Sequence, residues 1–244
     1  MNQNSKSKKR RVFWTYKKLI KLSEKTMIKY YSPEMVARIS ELTLTECEGI
    51  IERLPYIGGR KNIFTPIIEF VGLLICFYMA MKKEGIEAVV SVYIAIEIVE
   101  KLINKVPRFI GLILGKLSFT NMGINFFKKL TAPTLKKIYP EDFVCNVAII
   151  KKDKKEIEYE FEFSECGVHK LFEAEGAQEL KPYCNFFDPL LSTRFEMGID
   201  SNHTFAQKCS TCKLNYNNKR KTHTPDNIAN MMKEAEVILN IKKV

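Results

Sequence analysis

From Glu156 to Phe163 the chain alternates strictly between glutamate and a large apolar residue. Glu156, Glu158, Glu160 and Glu162 hold one parity, and Ile157, Tyr159, Phe161 and Phe163 hold the other. Successive side chains of a strand point to opposite faces, so this octet predicts a strand with one dry face and one wet one. Residues 143–150 just before it are continuously β-prone, and the lysine-rich residues 151–155 make a charged turn. The two runs read as an antiparallel hairpin. Residues 198–205 and 211–216 are candidates for two further strands, with Cys212, Leu214 and Tyr216 on one face.

Upstream the apolar period is about 3.6 rather than 2. Residues 17–31 read as a basic amphipathic helix whose apolar face carries Leu19, Ile20, Leu22 and Met27. Ser32-Pro33-Glu34 offers an N-cap, a proline for the first helical position and an acid for the first turn. Thr45 and Glu48 match a capping box that restarts a helix ending before Pro55, and Gly58-Gly59 form the next break. Residues 67–81 are the most apolar segment, but they carry Glu69 and fall short of the roughly twenty apolar residues of a membrane span. Lys82, Lys83 and Gly85 suit the end of that helix. Residues 86–104 form a second apolar helix, and the two read as a buried antiparallel hairpin without a membrane span. Residues 108–130 predict a third long helix and 134–138 a short one. Beyond the hairpin, Ser164 caps a helix running through His169 to about Ala174. A further helix covers 179–197, and 225–240 form a closing amphipathic helix.

These signals predict an α+β fold: a mainly antiparallel sheet of about four strands packed with helices, preceded by an N-terminal helical layer. The chain divides into a basic tail and amphipathic helix (1–31), a helical layer (32–140), an α+β core (141–217), and a basic loop with the C-terminal helix (218–244). With 244 residues and 46% hydrophobic content it can bury a substantial core. The net charge of +11 raises the question of nucleic acid. Much of the excess lies in Lys6–Arg11 and Lys219–Lys221, and no RNP, zinc-finger or phosphate-loop pattern accompanies it. Those runs read as solvated tails, with no specific nucleic-acid partner. The seven cysteines are an odd number, and the basic N-terminus offers no apolar signal core, so free thiols in a reducing cytoplasm are expected.

Residues 164–216 concentrate the chemistry. They hold Cys166, Cys184, Cys209, Cys212, His169, His203 and Asp188. Cys184 and Asp188 are four apart on a predicted helix and share a face. A carboxylate neighbour raises a thiol's pKa, so Cys184 is no activated nucleophile. Asp188 suits orienting a water or binding a cationic amidine, with Cys184 packing or assisting; the plain alternative is a buried cysteine and a carboxylate that are neighbours by accident. Cys209-Ser-Thr-Cys212 is a CxxC, and with Cys166 and Cys184 it offers a four-thiolate zinc alternative, although the latter two are far apart in sequence. A redox CxxC opens a helix, whereas this one enters a strand. Of the two histidines, His203 ranks first as a general base because it neighbours Thr204 and the cysteine pair, while His169 shows no partner.

The region from about Asn62 to Tyr216 resembles the L-2-amino-thiazoline-4-carboxylic acid hydrolase family. The resemblance is carried by Asn62-Ile-Phe-Thr65 leading into an apolar helix that ends in Lys82-Lys-Glu-Gly85, by Cys166-Gly-Val168 with a helix to Gly176, by Pro182-Tyr-Cys184 with Asp188, and by Thr204-Phe-Ala206 before Cys212-Lys-Leu214. The family pattern ends in threonine-leucine-alanine, a glycine pair and cysteine-aspartate-phenylalanine. Here Lys208 and Cys209 replace the glycines, and Lys213 and Leu214 the last two residues. The resemblance implies hydrolytic opening of a thiazoline or amidine-like small molecule to an N-carbamoyl-cysteine-like product, without a cofactor. Asp188, Cys184, Cys212 and His203 would be the catalytic set, and Arg194, Thr204 and Cys166 would bind substrate, Arg194 by clamping a carboxylate. Two other readings stay open: a non-catalytic small-molecule sensor on the same fold, and a metalloprotein using Cys166, Cys184, Cys209 and Cys212.

Overall fold

A computed structural model of the chain describes residues 3–240, with side chains from residue 9 onward. The fold is α+β, with helices leading and a four-stranded antiparallel sheet following. The first helix, α1 (Gln3–Met27), takes in the Lys6–Arg11 run, so that segment is helix rather than a free tail. Val12, Tyr16, Ile20, Ser23 and Met27 form its buried stripe. Next, α2 (Pro33–Arg53) starts where the Ser32 hydroxyl accepts the Met35 N–H, with Pro33 in the first turn. It runs unbroken through Thr45, whose hydroxyl donates back to the Glu41 carbonyl instead of capping a new helix. The centre of the helical layer is α3 (Thr65–Lys83), packed between α2 and α4 (Ala88–Ile103). Among the described residues α3 is the one single helix both long and apolar enough to cross a membrane, and 67% of that window is buried inside the protein; residues 108–118 and 121–136 pass only if counted together as one bent span. Gly72 lets α3 approach its neighbours: a Cβ there would sit 2.7 Å from the Tyr16 hydroxyl and 2.8 Å from Leu54.

The expected long helix over 108–130 is two helices, α5 (Arg108–Ser118) and α6 (Asn121–Thr131), bent by 80°. The Thr120 hydroxyl accepts the Gly123 N–H and starts α6. A Cβ on Gly123 would lie 2.2 Å from the Leu117 carbonyl oxygen, so the sharp turn requires glycine there.

Strands β1 (Val144–Lys152) and β2 (Ile157–Glu165) form the hairpin, whose turn is tied by the Asp153 carboxylate accepting the Lys155 and Glu156 amides. With β3 (Ile199–His203) and β4 (Cys212–Asn217) the sheet order is β1-β2-β4-β3. The register pairs Cys145 with Phe163, Val147 with Phe161, Phe163 with Cys212, Phe161 with Leu214, and Tyr159 with Tyr216. Directly paired residues share a face, so one side of the sheet is a continuous apolar surface. The opposite face is less open than a solvated row: Lys213 lies 3.5 Å from Glu160 and 3.4 Å from Glu162, and Arg220 3.9 Å from Glu158. Arg220 also donates to the Gly198 and Asn215 carbonyls, so the basic loop is partly a clasp on the sheet. β1 is an edge strand with a register shift between Ile149 and Lys151; β3, the other edge, shifts between Asp200 and His203.

After β2 comes α7 (Gly167–Ala174). Its N-cap is Cys166, while Ser164 stays exposed in the strand. The helix expected over 179–197 is divided. Residues Gln178–Phe186 are 3-10, with Pro182 inside, and only α8 (Phe187–Phe195) is α-helical. Proline removes one amide donor from the ladder and clashes with the preceding turn, which accounts for the tighter winding. The chain closes with α9 (Asp226–Ile238) against α4.

The inner face of α5 is made of Gly111, Gly115 and Ser118, pressed against the end of α8. A Cβ on Gly115 would come within 1.9 Å of the Phe195 carbonyl oxygen. A mid-helix Gly→Ala change ordinarily gains up to about 1 kcal/mol. Gly115→Ala should reverse that sign and destabilise by about 2 kcal/mol or more, read from the midpoint of denaturant unfolding. An unchanged or raised midpoint would contradict this packing.

Candidate functional site

The recess is built where the end of β2, the start of α7, the Pro182 segment, α8 and β4 converge. Cys166 joins β2 to α7, Cys184 follows Pro182 in the 3-10 segment, Asp188 occupies the first turn of α8, and Cys212 opens β4 beside Phe163. Tyr216, two residue pairs farther along the same sheet face, stacks on Tyr159 with ring centres 5.3 Å apart. All five keep intermediate accessible surface. Yet burial is the largest influence on the ionisation of each. Partial accessibility on groups so closely surrounded describes a partly enclosed cluster at the edge of the core, and it is in this sense a recess.

The Asp188 carboxyl is the electrostatic centre. Burial raises its pKa to about 7, offset slightly by a backbone amide, and no lysine or arginine lowers it. No side chain hydrogen-bonds its carboxylate among the described residues. Its negative charge in turn raises Cys166, Cys184, Cys212 and Tyr216, each of which burial has already raised more. Cys166 reaches about 11 even though it sits at the N-cap of α7, where the His169 and Val168 amides favour its thiolate. Cys184 and Cys212 are pushed higher still. At neutral pH the recess therefore holds three thiols and one carboxyl poised to gain or lose a proton.

Two backbone donors reach these sulfurs. The Phe205 and Ala206 amides begin the 3-10 turn Phe205–Gln207 and point to Cys212 and Cys184 respectively. The first amides of a helical turn have no partner within it, which leaves these two for the cysteine sulfurs. Thr204 holds this turn in place. It is fully buried, its hydroxyl and amide both meet the Gln207 side chain, and Gln207 reaches on to Asn227 of α9. Thr204 thus positions the turn and does not touch the recess through its side chain.

The histidine of the site is His169, not His203. His169 Nε2 lies 3.2 Å from Cys184 Sγ, and the imidazole rests against Phe205 with ring centres 5.6 Å apart. Burial, with Lys181 adding to it, lowers the His169 pKa and keeps the ring neutral. His203 is exposed and meets only the Thr211 hydroxyl, at 3.2 Å. Cys166 and His169 are three apart across the first turn of α7, and that spacing was the available signal for placing His169 here. Arg194 is also elsewhere. Its guanidinium donates to the Val106 and Asn104 carbonyls and lines an outer cleft of about 420 Å³ with Glu100, Arg108 and Thr193. Neither that cleft nor the apolar cavity inside the helical layer includes Asp188.

All seven cysteines are free. Among the described residues no three His, Cys, Asp or Glu side chains converge as metal ligands, so Cys166, Cys184, Cys209 and Cys212 do not form the four-thiolate arrangement. Cys209 sits just after the turn, its amide bonded to the Thr204 carbonyl.

The raised Asp188 carboxyl makes stability depend on pH. Between about pH 4 and pH 7 the folded chain keeps a proton that the unfolded chain has released. Its contribution is complete below about pH 4 and is lost as pH rises through about 7. Asp188→Asn removes this loss, so the variant should gain on the wild type by about 1–3 kcal/mol between pH 4 and pH 8 in unfolding measurements. An equal difference at both pH values would show that the carboxyl is not held in a raised state.

With this geometry in hand, comparison with known proteins adds no relative: no family model matches the chain, no curated protein is similar to it, and no solved structure matches it.

Proposed function

We propose that the protein is a hydrolase of the L-2-amino-thiazoline-4-carboxylic acid hydrolase type, opening a thiazoline or similar cyclic amidine with water. The observation that carries this reading is the Asp188 carboxyl, without a cationic partner, close to neutral in pKa and beside Cys184, whose sulfur meets His169. A group that titrates near the working pH is best matched to act in turn as base and acid. The site assignment rests on chemistry and geometry together with the motif resemblance, and fold alone would not support it.

The step follows from the groups present. Asp188 takes a proton from a water as the water oxygen bonds to the amidine carbon. The carbon–sulfur bond then breaks, its electron pair leaves on sulfur, and the same carboxyl returns the proton there. The second water proton ends on the ring nitrogen, so one water is consumed with no change of oxidation state, and an N-carbamoyl-cysteine results. The Phe205 and Ala206 amides hold the Cys212 and Cys184 sulfurs in place, and the substrate sulfur leaves as a thiol once Asp188 has returned its proton. Cys184 stays protonated against His169 and shapes the pocket rather than attacking. No cation offsets Asp188, so the recess favours the cationic amidine end of a substrate.

The loop that departs from the family pattern supports the reading from another side. Lys208 holds φ 63°, in the left-handed region, where that pattern has a glycine. Lys208→Gly should therefore raise stability by about 1 kcal/mol, checked by thermal or denaturant unfolding. A loss of stability would detach this turn from the family's backbone.

Activity is measured as free thiol released from L-2-amino-thiazoline-4-carboxylate. Asp188→Asn should remain folded and lose about 100-fold or more in turnover, while Cys184→Ala loses less than about tenfold. The wild-type kcat/KM should rise with pH as Asp188 ionises and level off above about 7. No thiol release by the wild type, or full turnover by Asp188→Asn, would defeat the proposal.

A further inference from the structure

We infer that the outer face of α5 and α6 seats the protein on an anionic membrane surface. α5 is amphipathic in the opposite sense to a core helix. Its small residues Gly111, Gly115 and Ser118 face inward, and its large apolar residues face out. Phe109, Ile110, Ile113, Leu114 and Leu117 recur at spacings of three and four, along one side of the helix, and Phe109 and Ile113 are 65% and 54% exposed. Beyond the 80° bend, Met122 and Phe126, one turn apart on α6, are 73% and 57% exposed. Single exposed apolar residues are ordinary, whereas a run of them on consecutive elements marks a surface that meets something.

Charge names the occupant. Residues 101–140 contain eight lysines and arginines and no aspartate or glutamate. Arg108 is paired with Glu196 and Lys137 with Glu165. Lys105, Lys116, Lys128, Lys129 and Lys136 have no acidic partner among the described residues. An apolar stripe bordered by unneutralised lysines combines the two signals that hold a protein at an anionic lipid interface. A second copy of this chain would bring the same cations to the same place and repel them. α5 and the helix after it are long and apolar enough for one span only if counted together, but they bend by 80°, and the eleven residues of α5 alone rise about 16 Å, half the hydrocarbon thickness, with their inner face packed on α8. The helix pair lies on the membrane and does not span it.

The full chain is tested by flotation with vesicles of phosphatidylcholine alone and of phosphatidylcholine with about one third phosphatidylserine. Binding to the second and not the first is expected, falling as salt rises. The exposed double variant Phe109→Ser/Ile113→Ser should bind at least tenfold more weakly, as should Lys128→Glu/Lys129→Glu, both with wild-type circular dichroism. Phe109→Trp in a Trp14→Phe background should shift its emission to the blue on the acidic vesicles. The inference is overturned by absence of binding to acidic vesicles, or by double variants that bind like wild type. Loss of binding only when Lys17, Lys18 and Lys21 of α1 are reversed in charge would move the contact to α1 and also overturn it. So would a dimer in light scattering that Phe109→Ser/Ile113→Ser converts to monomer, because the apolar face would then be a subunit interface.

Discussion

The dry face of β2 is the interaction on which the other elements depend. Tyr159, Phe161 and Phe163 meet Val147 and Cys145 on one side and Tyr216, Leu214 and Cys212 on the other, so a single strand sets the register of both neighbours. A slip of one residue would turn three aromatic rings to water and three glutamates to the interior. The same rings accept the helices. Phe119, Ile124 and Phe127 close over Tyr159 and Val147, while Phe64, at the entrance to α3, packs 4.5 Å from Phe143 between ring centres and 5.7 Å from Phe163. Asn62 pins that joint, donating to the Asp142 carboxylate and the Ile57 carbonyl and accepting the Phe64 amide. Helical layer and sheet are thus held by a few aromatic contacts and one polar knot.

That joint leaves a recess beside Cys212, and its enclosure divides the chemistry. Burial favours the neutral form of every acid it surrounds. It silences three thiols, whose ordinary pKa values already lie above neutrality, but brings a carboxyl from below neutrality up to it. One environment thereby makes sulfur inert and oxygen reactive. The amides of Phe205 and Ala206 add fixed partial positive charge where a full cation would have drawn the carboxyl back down.

Regular periodicity was the legible part of the sequence. The alternating octet, the shared face of Cys212, Leu214 and Tyr216, the Ser32 cap and the apolar α3 all express a local rule, and each stands in the fold. Cys184 and Asp188 are neighbours for a different reason from the one their spacing suggests. Pro182 winds the first into a 3-10 segment, and the recess, not a common helical stripe, brings the two together. The bend between α5 and α6 depends on how near Gly123 comes to the Leu117 carbonyl, a contact between turns with no periodic signature. His169 and Arg194 illustrate the same limit. Cys184 lies 15 residues from the first, and the second meets Val106 across 88 residues, separations that only tertiary packing can close.

The register shifts at the two ends of the sheet carry a consequence for how the protein survives its own folding. An open sheet offers two unpaired edges, and β1 presents Ile149 and Ile150 on one of them. Immediately after the bulge come Lys151 and Lys152, which break the flat apolar run and place charge where another strand would have to pair. At the far edge β3 is only five residues long and carries Asp200 at its own irregularity. Irregularity and charge together protect a β-rich half, made late in synthesis, from joining its copies edge to edge into aggregates.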